Sequence, residues 1–236
     1  RIIIMFKKVL STTVLGISAL GVMAANAAAP GVYVTGQLGY ANTHMGDKTD
    51  TTNIDNNTSF HFHPNNGNDT NLSNNGLAGR IALGYQFNPN FALEAGYLRL
   101  GQEKLDGFVG KDGSDYHQAA TLKLQQNVVD FLAKGIVPIC DKFNLYGKAG
   151  LAYINTAVQG KTKGDETAGV PDISFDLNKA TNLARHKLAP EVALGVSYDI
   201  TPNVSVDTSW THIQTIGKNR PGNIDFVAVG LGYNFG

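Results

Sequence analysis

From residue 28 onward the chain has no apolar run long enough for a membrane helix, yet apolar residues alternate with polar or small ones over eight separate stretches. A period of two marks a β-strand with one face in apolar surroundings. Val32, Val34, Leu38 and Tyr40 form the first set, opposite Tyr33, Thr35, Gln37 and Gly39. The second is Leu77, Ile81, Leu83, Tyr85 and Phe87 opposite Ala78, Arg80, Ala82, Gly84 and Gln86; the third is Phe91, Leu93, Ala95 and Tyr97 opposite Ala92, Glu94 and Gly96. Val129, Phe131, Ala133 and Val137 follow, opposite Asp130, Leu132 and Lys134, then Phe143, Leu145, Ala149, Leu151 and Tyr153 opposite Asn144, Tyr146, Lys148 and Gly150. Pro190, Val192, Leu194, Val196 and Tyr198 lie opposite Glu191, Ala193, Gly195, Ser197 and Asp199. Val204, Val206, Thr208 and Trp210 make the seventh set, and Val227, Val229, Leu231, Tyr233 and Phe235 the eighth.

The connectors alternate in length. Tight turns sit at Asn88-Pro89-Asn90, at 138–142 and at Thr201-Pro202-Asn203, while long polar loops are expected at 42–76, 101–124, 155–186 and 213–223. This layout predicts an all-β, eight-stranded antiparallel up-and-down transmembrane barrel, with short periplasmic turns, long extracellular loops and both termini periplasmic. The residues Tyr85, Phe87, Pro89, Asn90, Phe91, Leu93 and Glu94 repeat at constant spacing as Tyr198, Ile200, Pro202, Asn203, Val204, Val206 and Asp207, which reads as a repeated hairpin.

A soluble barrel must be polar outside and apolar inside, and here the faces are inverted. The apolar face holds almost no charge, whereas the other carries Arg80, Glu94, Asp130, Lys134, Lys148, Glu191, Asp199 and Asp207 among Gly and Ala. Along the apolar face, Phe87, Phe91, Phe143, Tyr198 and Phe235 fall near the short turns, and Tyr40, Tyr97, Tyr153 and Trp210 near the long loops. Two aromatic belts around an aliphatic band match the headgroup levels of a bilayer. A mean hydropathy of -0.12 excludes a helical membrane bundle but not such a barrel, because half of each strand and all of the loops are polar. Equal numbers of basic and acidic residues, 19 each, argue against nucleic-acid binding.

Residues 1–27 read as a cleaved export signal: Met5 as the start, Lys7 and Lys8 before an apolar stretch over 9–23, then Ala25-Asn26-Ala27. Residues 1–4 read as an upstream extension, and the barrel domain is expected over 28–236. Removing the leader takes away Arg1, Lys7 and Lys8 and no acid, so the exported chain is mildly acidic.

Gly84-Tyr85-Gln86-Phe87-Asn88-Pro89, Leu93-Glu94-Ala95-Gly96-Tyr97, Gly195-Val196-Ser197-Tyr198-Asp199-Ile200-Thr201-Pro202 and the closing Val229-Gly230-Leu231-Gly232-Tyr233-Asn234-Phe235 resemble the transmembrane domain of the OmpA family and related small surface-antigen barrels. The resemblance implies an envelope component in a Gram-negative outer membrane, with a narrow porin-like ion or small-solute path, or a surface adhesin recognising host or phage ligands through its loops. It also implies outer-membrane lipid, lipopolysaccharide and the barrel-assembly machinery as partners, the last through the aromatic-ended final strand. No peptidoglycan-binding domain is expected after the barrel. The protein is expected to be monomeric.

Glu94 and Lys134 match the carboxylate and lysine of the family's lumenal gate, whereas the family's arginine falls at Asp207 and its glutamate at Ser197, leaving Arg80 or Lys148 for the basic role. The expected lumenal network is Arg80, Glu94, Asp130, Lys134, Lys148, Glu191 and Asp207, because an eight-stranded interior is filled by its own side chains and buried charges must pair. No catalytic residue, cofactor or metal is assigned. His61 and His63 read as solvated loop residues, Cys140 as an incidental thiol, and His212 lacks the neighbouring serine of a lipid A deacylase.

Overall fold

The computed structural model describes residues 30–44, 60–64, 75–111, 117–163, 173–176, 184–217 and 220–236; the leader expected at 1–27 lies outside them. The described strands are β1 (Gly31–His44), β2 (Phe60–Pro64), β3 (Gly76–Asn88), β4 (Phe91–Arg99), β5 (Glu103–Lys111), β6 (His117–Pro138), β7 (Phe143–Thr162), β8 (Ile173–Asp176), β9 (His186–Asp199), β10 (Val204–Ile213) and β11 (Asn223–Asn234). They form one sheet in the order β2-β5-β6-β4-β3-β1-β11-β10-β9-β7-β8, and a further pairing of β6 with β7 closes it. The closed part is an antiparallel ring of eight strands, β6-β4-β3-β1-β11-β10-β9-β7, which are the eight segments read from the alternation. Closure matters because a backbone edge facing lipid would leave N–H and C=O groups without partners.

Three of the segments expected as long loops contain strands. β2 falls within 42–76, so His61 and His63 lie on a strand and not in a loop; β5 and the start of β6 fall within 101–124; the end of β7 and β8 fall within 155–186. β6 has 22 residues and β7 has 20, about twice the 9–11 needed to cross a bilayer. Their extra length was hidden because the alternation changes phase along the strand. On β6, Val129 and Phe131 face outward and are exposed, but farther along Leu124 and Leu122 are buried inward while Gln125 and Lys123 take the outward positions. On β7, Leu151 and Tyr153 are outward, whereas Ile154 and Val158 are buried inward and Gln159 and Lys161 are exposed. Where the outer side meets water, the inner side must supply the apolar contact.

The turns of the repeated hairpin use one device twice. Asn90 Nδ2 donates to the Ile136 carbonyl at 3.1 Å, and Asn203 Nδ2 donates to the Asn234 carbonyl at 2.8 Å. Each asparagine thereby fastens a turn to the neighbouring strand of the ring.

The outward face between the aromatic levels is aliphatic: Val229 is 66% exposed and Leu231 61%. Val229→Arg, near mid-height on β11, is expected to cost about 2–4 kcal/mol of folding free energy in lipid vesicles. Urea titration of the folded, heat-modifiable species measures it, and an unchanged midpoint would place this face outside the lipid.

Candidate functional site

The inward side chains fill the ring in two layers. Toward the short-turn end lies a charged network centred on Arg80 of β3 and Glu94 of β4, which are 5% and 1% exposed. Arg80 Nη1 donates to Glu94 Oε1 at 2.7 Å, while its Nη2 and Nε donate to the two oxygens of Asp130 at 2.6 and 3.0 Å. Lys148 Nζ reaches the same Glu94 oxygen at 2.7 Å, and Tyr33 Oη donates to Glu94 Oε2 at 3.0 Å. Asp207 accepts from Tyr146 Oη at 2.6 Å and from Gln37 Nε2 at 2.8 Å. Fork-shaped pairing of Arg80 with a carboxylate fixes geometry as well as charge.

Each predicted lumenal residue can now be placed. Arg80, Glu94, Asp130 and Lys148 form one contiguous ion-pair cluster. Asp207 belongs to a tyrosine and glutamine group beside it. Glu191 is buried, and its Oε2 has no hydrogen-bond partner among the described residues. Lys134 does not hydrogen-bond Glu94, the partner that the family gate implies. Its Nζ lies 4.5 Å from the centre of the Tyr146 ring and 5.2 Å from that of Tyr33, a cation-π arrangement. Register explains the difference: Lys134 stands directly opposite Lys148 across β6 and β7, and like charges so placed repel. Lys148 turns to Glu94 and Lys134 to the aromatic rings. Below them, at the short-turn end, is a cavity of about 70 Å³ lined in part by Tyr33, Lys134, Asn144, Asp199, Ser205 and Asn234.

Sequence reasoning put Tyr33, Tyr146 and Gln37 on the inner face without giving them a role. The available signal was cross-strand: Tyr33 pairs with Gly84 and Tyr146 with Gly195. A Cβ on either glycine would run into the facing tyrosine ring, so the glycines make room for the two rings that hold Lys134.

The second layer lies toward the long-strand end and is mainly apolar. Leu98, Leu100, Val128, Ile154, Ile213, Ile224 and Phe226 pack with five alanines from five strands, each 0–3% exposed. Along β4 and the residue that follows it the order is Glu94, Leu98, Leu100; on β7 it is Lys148, Ile154; on β10 it is Asp207, Ile213. The charged layer therefore always precedes the apolar one in the same direction. The inner face expected to be polar throughout carries its ion pairs over its lower half, and the upper half is mainly apolar with Gln126, Thr156 and Thr211 buried among the aliphatic side chains.

The aromatic levels are outward. Tyr40, Phe87, Phe91, Tyr97, Phe143, Tyr153, Trp210 and Phe235 are exposed, and Tyr198 is half-buried against Phe143 at 5.0 Å between ring centres. Just beyond Trp210, Asp225 accepts from the Trp210 indole at 3.2 Å and contacts His212 Nδ1 at 2.8 Å. Cys140 is an exposed free thiol in the β6–β7 turn.

Arg80→Met leaves both Glu94 and Asp130 without their guanidinium and is expected to cost about 3–5 kcal/mol, whereas Arg80→Met with Asp130→Leu should recover part of that loss. Urea titrations of the single and double variants provide the cycle; strictly additive losses would show that the pair is not coupled.

Residues 27–236 match the family model described as the OmpA-like transmembrane domain. A protein of Coxiella burnetii (strain RSA 493 / Nine Mile phase I), described as uncharacterized, is 28% identical over 221 residues, spanning 89% of this chain and 87% of that protein. Among solved structures, the outer membrane protein OprG of Pseudomonas aeruginosa is 13% identical, with a TM-score of 0.46, over 89% of this chain and 99% of that one. Ail, the attachment invasion locus protein of Yersinia pestis, is 15% identical with a TM-score of 0.44, over 87% and 99% of the two chains. Neisserial surface protein A is 16% identical with a TM-score of 0.43, over 86% and 97%. The chain belongs to the family of OmpA-like transmembrane domains, the β-barrels of the bacterial outer membrane.

Proposed function

We propose that this barrel is a closed structural component of the outer membrane, with its termini in the periplasm and its long strands projecting outside. The observation that carries this is the apolar layer across the lumen. An ion crossing the ring would meet two barriers in series, the packed charge network and then a span lined by Leu98, Ile154, Ile213 and Phe226. Transfer of a charge into such a span costs many kcal/mol, and no rearrangement of the ion pairs below removes that cost. The narrow solute path that the family resemblance implies is therefore not part of the proposal.

A second reading has its own observation. β6 and β7 continue past the outer aromatic level and carry β5 and β8 on their flanks, with β2 on β5. They make a projecting sheet instead of slack loops. Such a scaffold suits recognition of a surface ligand, because little ordering is needed on binding. Neither reading involves a catalytic step; His212 is engaged by Asp225 and Gln214.

Planar-bilayer recordings test the closed lumen. Wild type and Glu94→Gln should both give no stable conductance, while Phe226→Ala combined with Ile154→Ala and Ile213→Ala should raise leak because it thins the series barrier. A stable large pore in wild type, or one opened by Glu94→Gln alone, would overturn the proposal. Deleting 103–123 or 156–176 separates the second reading: lost binding to a surface ligand with an unchanged envelope phenotype favours recognition through the projecting sheet.

A further inference from the structure

At the long-strand rim, where β10 and β11 end and the connection between them begins, a chain of polar side chains runs along the outer face. Asp225 of β11 stands directly opposite His212 of β10, and its Oδ1 lies 2.8 Å from His212 Nδ1. The other imidazole nitrogen, Nε2, lies 3.1 Å from Gln214 Oε1. Gln214 in turn faces Asn223, and the two amides exchange a pair of hydrogen bonds of 3.2 Å each.

The two ends of this chain fix where its hydrogens lie. A backbone N–H can only donate, so the Asn223 atom 3.1 Å from the Thr215 amide is the oxygen. Asn223 Nδ2 therefore faces Gln214 and donates, which makes the Gln214 atom that it meets an oxygen as well. That same oxygen sits beside His212, so the imidazole Nε2 must bring the hydrogen. At the other end the Trp210 indole, also a donor only, donates to Asp225 Oδ1 at 3.2 Å. As a carboxylate, Asp225 has no hydrogen to give back, so Nδ1 must bring one too. A neutral imidazole carries one N–H and an imidazolium two. This network needs both.

The charged and titratable groups around His212 among the described residues come from four strands and the connection. β11 supplies Asp225, and β1 supplies His44, whose Nδ1 is 3.5 Å from Asp225 Oδ2. On the connection, Arg220 is turned to the Thr215 carbonyl at 2.7 Å, and the Lys187 ammonium of β9 lies beside Gly217. β9 presents the uncharged Val192 directly opposite His212, and β10 stacks Trp210 on the imidazole at 5.8 Å between ring centres.

We propose that His212 is a proton-operated clasp: as an imidazolium it ties the β10–β11 connection, through Gln214 and Asn223, to Asp225, and on losing its proton it releases one of these two links. A neutral ring has one hydrogen for two acceptors, so the oxygen of either Gln214 or Asp225 then faces a bare lone pair. His212 stands beyond the aromatic level marked by Trp210, outside the membrane-spanning part of β10, and its hydrogen bond to Asp225 holds the imidazole above its ordinary value. Stability from the clasp is therefore full below the ordinary imidazole value of about 6.5 and is lost as pH rises through the higher value of the folded barrel.

The test is NMR of the full-length barrel folded in detergent, with isotope-labelled histidine and asparagine, titrated from about pH 5 to about pH 9. Both ring nitrogens of His212 are expected to be protonated at neutral pH, and the Asn223 side-chain amide should shift with the same midpoint as the ring when the proton leaves. Asp225→Asn should weaken proton binding by His212 at least about tenfold, one decade for each pKa unit. Gln214→Met, which removes the acceptor at Nε2, should act in the same direction and serves where the first variant does not fold; heat-modifiable mobility reports folding. Trp210 is the one tryptophan of the chain, and its emission should follow the same midpoint in wild type and lose that transition in His212→Gln. A single protonated ring nitrogen at neutral pH, proton binding unchanged in the folded variants, or an Asn223 amide that stays put while His212 titrates would each overturn the clasp.

Discussion

In hydrocarbon no water is present to complete a backbone hydrogen bond, and this constraint shapes the rest of the molecule. A sheet can cross only if it closes on itself, and here closure depends on the pairing of β6 with β7, which runs in unbroken register from Ala120 opposite Thr162 to Pro138 opposite Asn144. Eight strands then fix the bore. A bore of that size is filled by side chains and does not form an aqueous channel, so the inward residues face the requirements of a protein core even though the outward ones face lipid.

Those requirements explain the division of the lumen. Charges can be buried only in mutual contact, and Arg80 meets this by bridging Glu94 and Asp130 while Lys148 shares Glu94. Removing a single member leaves an unpaired charge where water is scarce, which is far costlier than never having had the pair. Lys134, which makes no ion pair or hydrogen bond with a described residue, is held instead against the ring quadrupoles of Tyr33 and Tyr146. Beyond this layer the ring is filled mainly by Leu, Ile, Val, Phe and Ala, which need no partners, while the buried Gln126 and Thr156 satisfy each other.

The ring strands were legible in the sequence because lipid on one side and a tight interior on the other enforce a strict period of two. Val227, Val229, Leu231 and Tyr233 opposite Phe226, Ala228, Gly230 and Gly232 leave little ambiguity about strand or face. The projecting parts of β6 and β7 were not legible because the environment outside changes from lipid to water, and Leu122, Leu124 and Val158 therefore occupy the opposite phase from Val129, Phe131 and Tyr153. A reader scanning for one phase sees the pattern end where it inverts. The apolar layer was missed for a related reason: Leu98, Ile154 and Phe226 sit on the inner face, where the nearby charges had set the expectation. The position of Lys134 needed register, since only the direct opposition of Lys134 and Lys148 makes a shared carboxylate unfavourable for both.

The phase inversion also joins the two ends of the molecule. Going outward along β6, Val128 of the lumenal layer is followed on the same inner face by Leu124 and Leu122, and along β7 Ile154 is followed by Val158, all buried. The inner layer of the lumen and the inner face of the projecting sheet form one largely apolar seam, crossed by a buried polar pair in which Gln126 Nε2 donates to Thr156 Oγ1 at 3.3 Å. A projecting strand anchored in that seam cannot move as a free loop without exposing apolar surface, at a cost of about 25 cal/mol for each Å². The lumenal closure and the stiff surface sheet of the proposed function would therefore be consequences of the same residues: a barrel with a wide aqueous bore would have no such seam, and its outer strands would have to be ordered by other means.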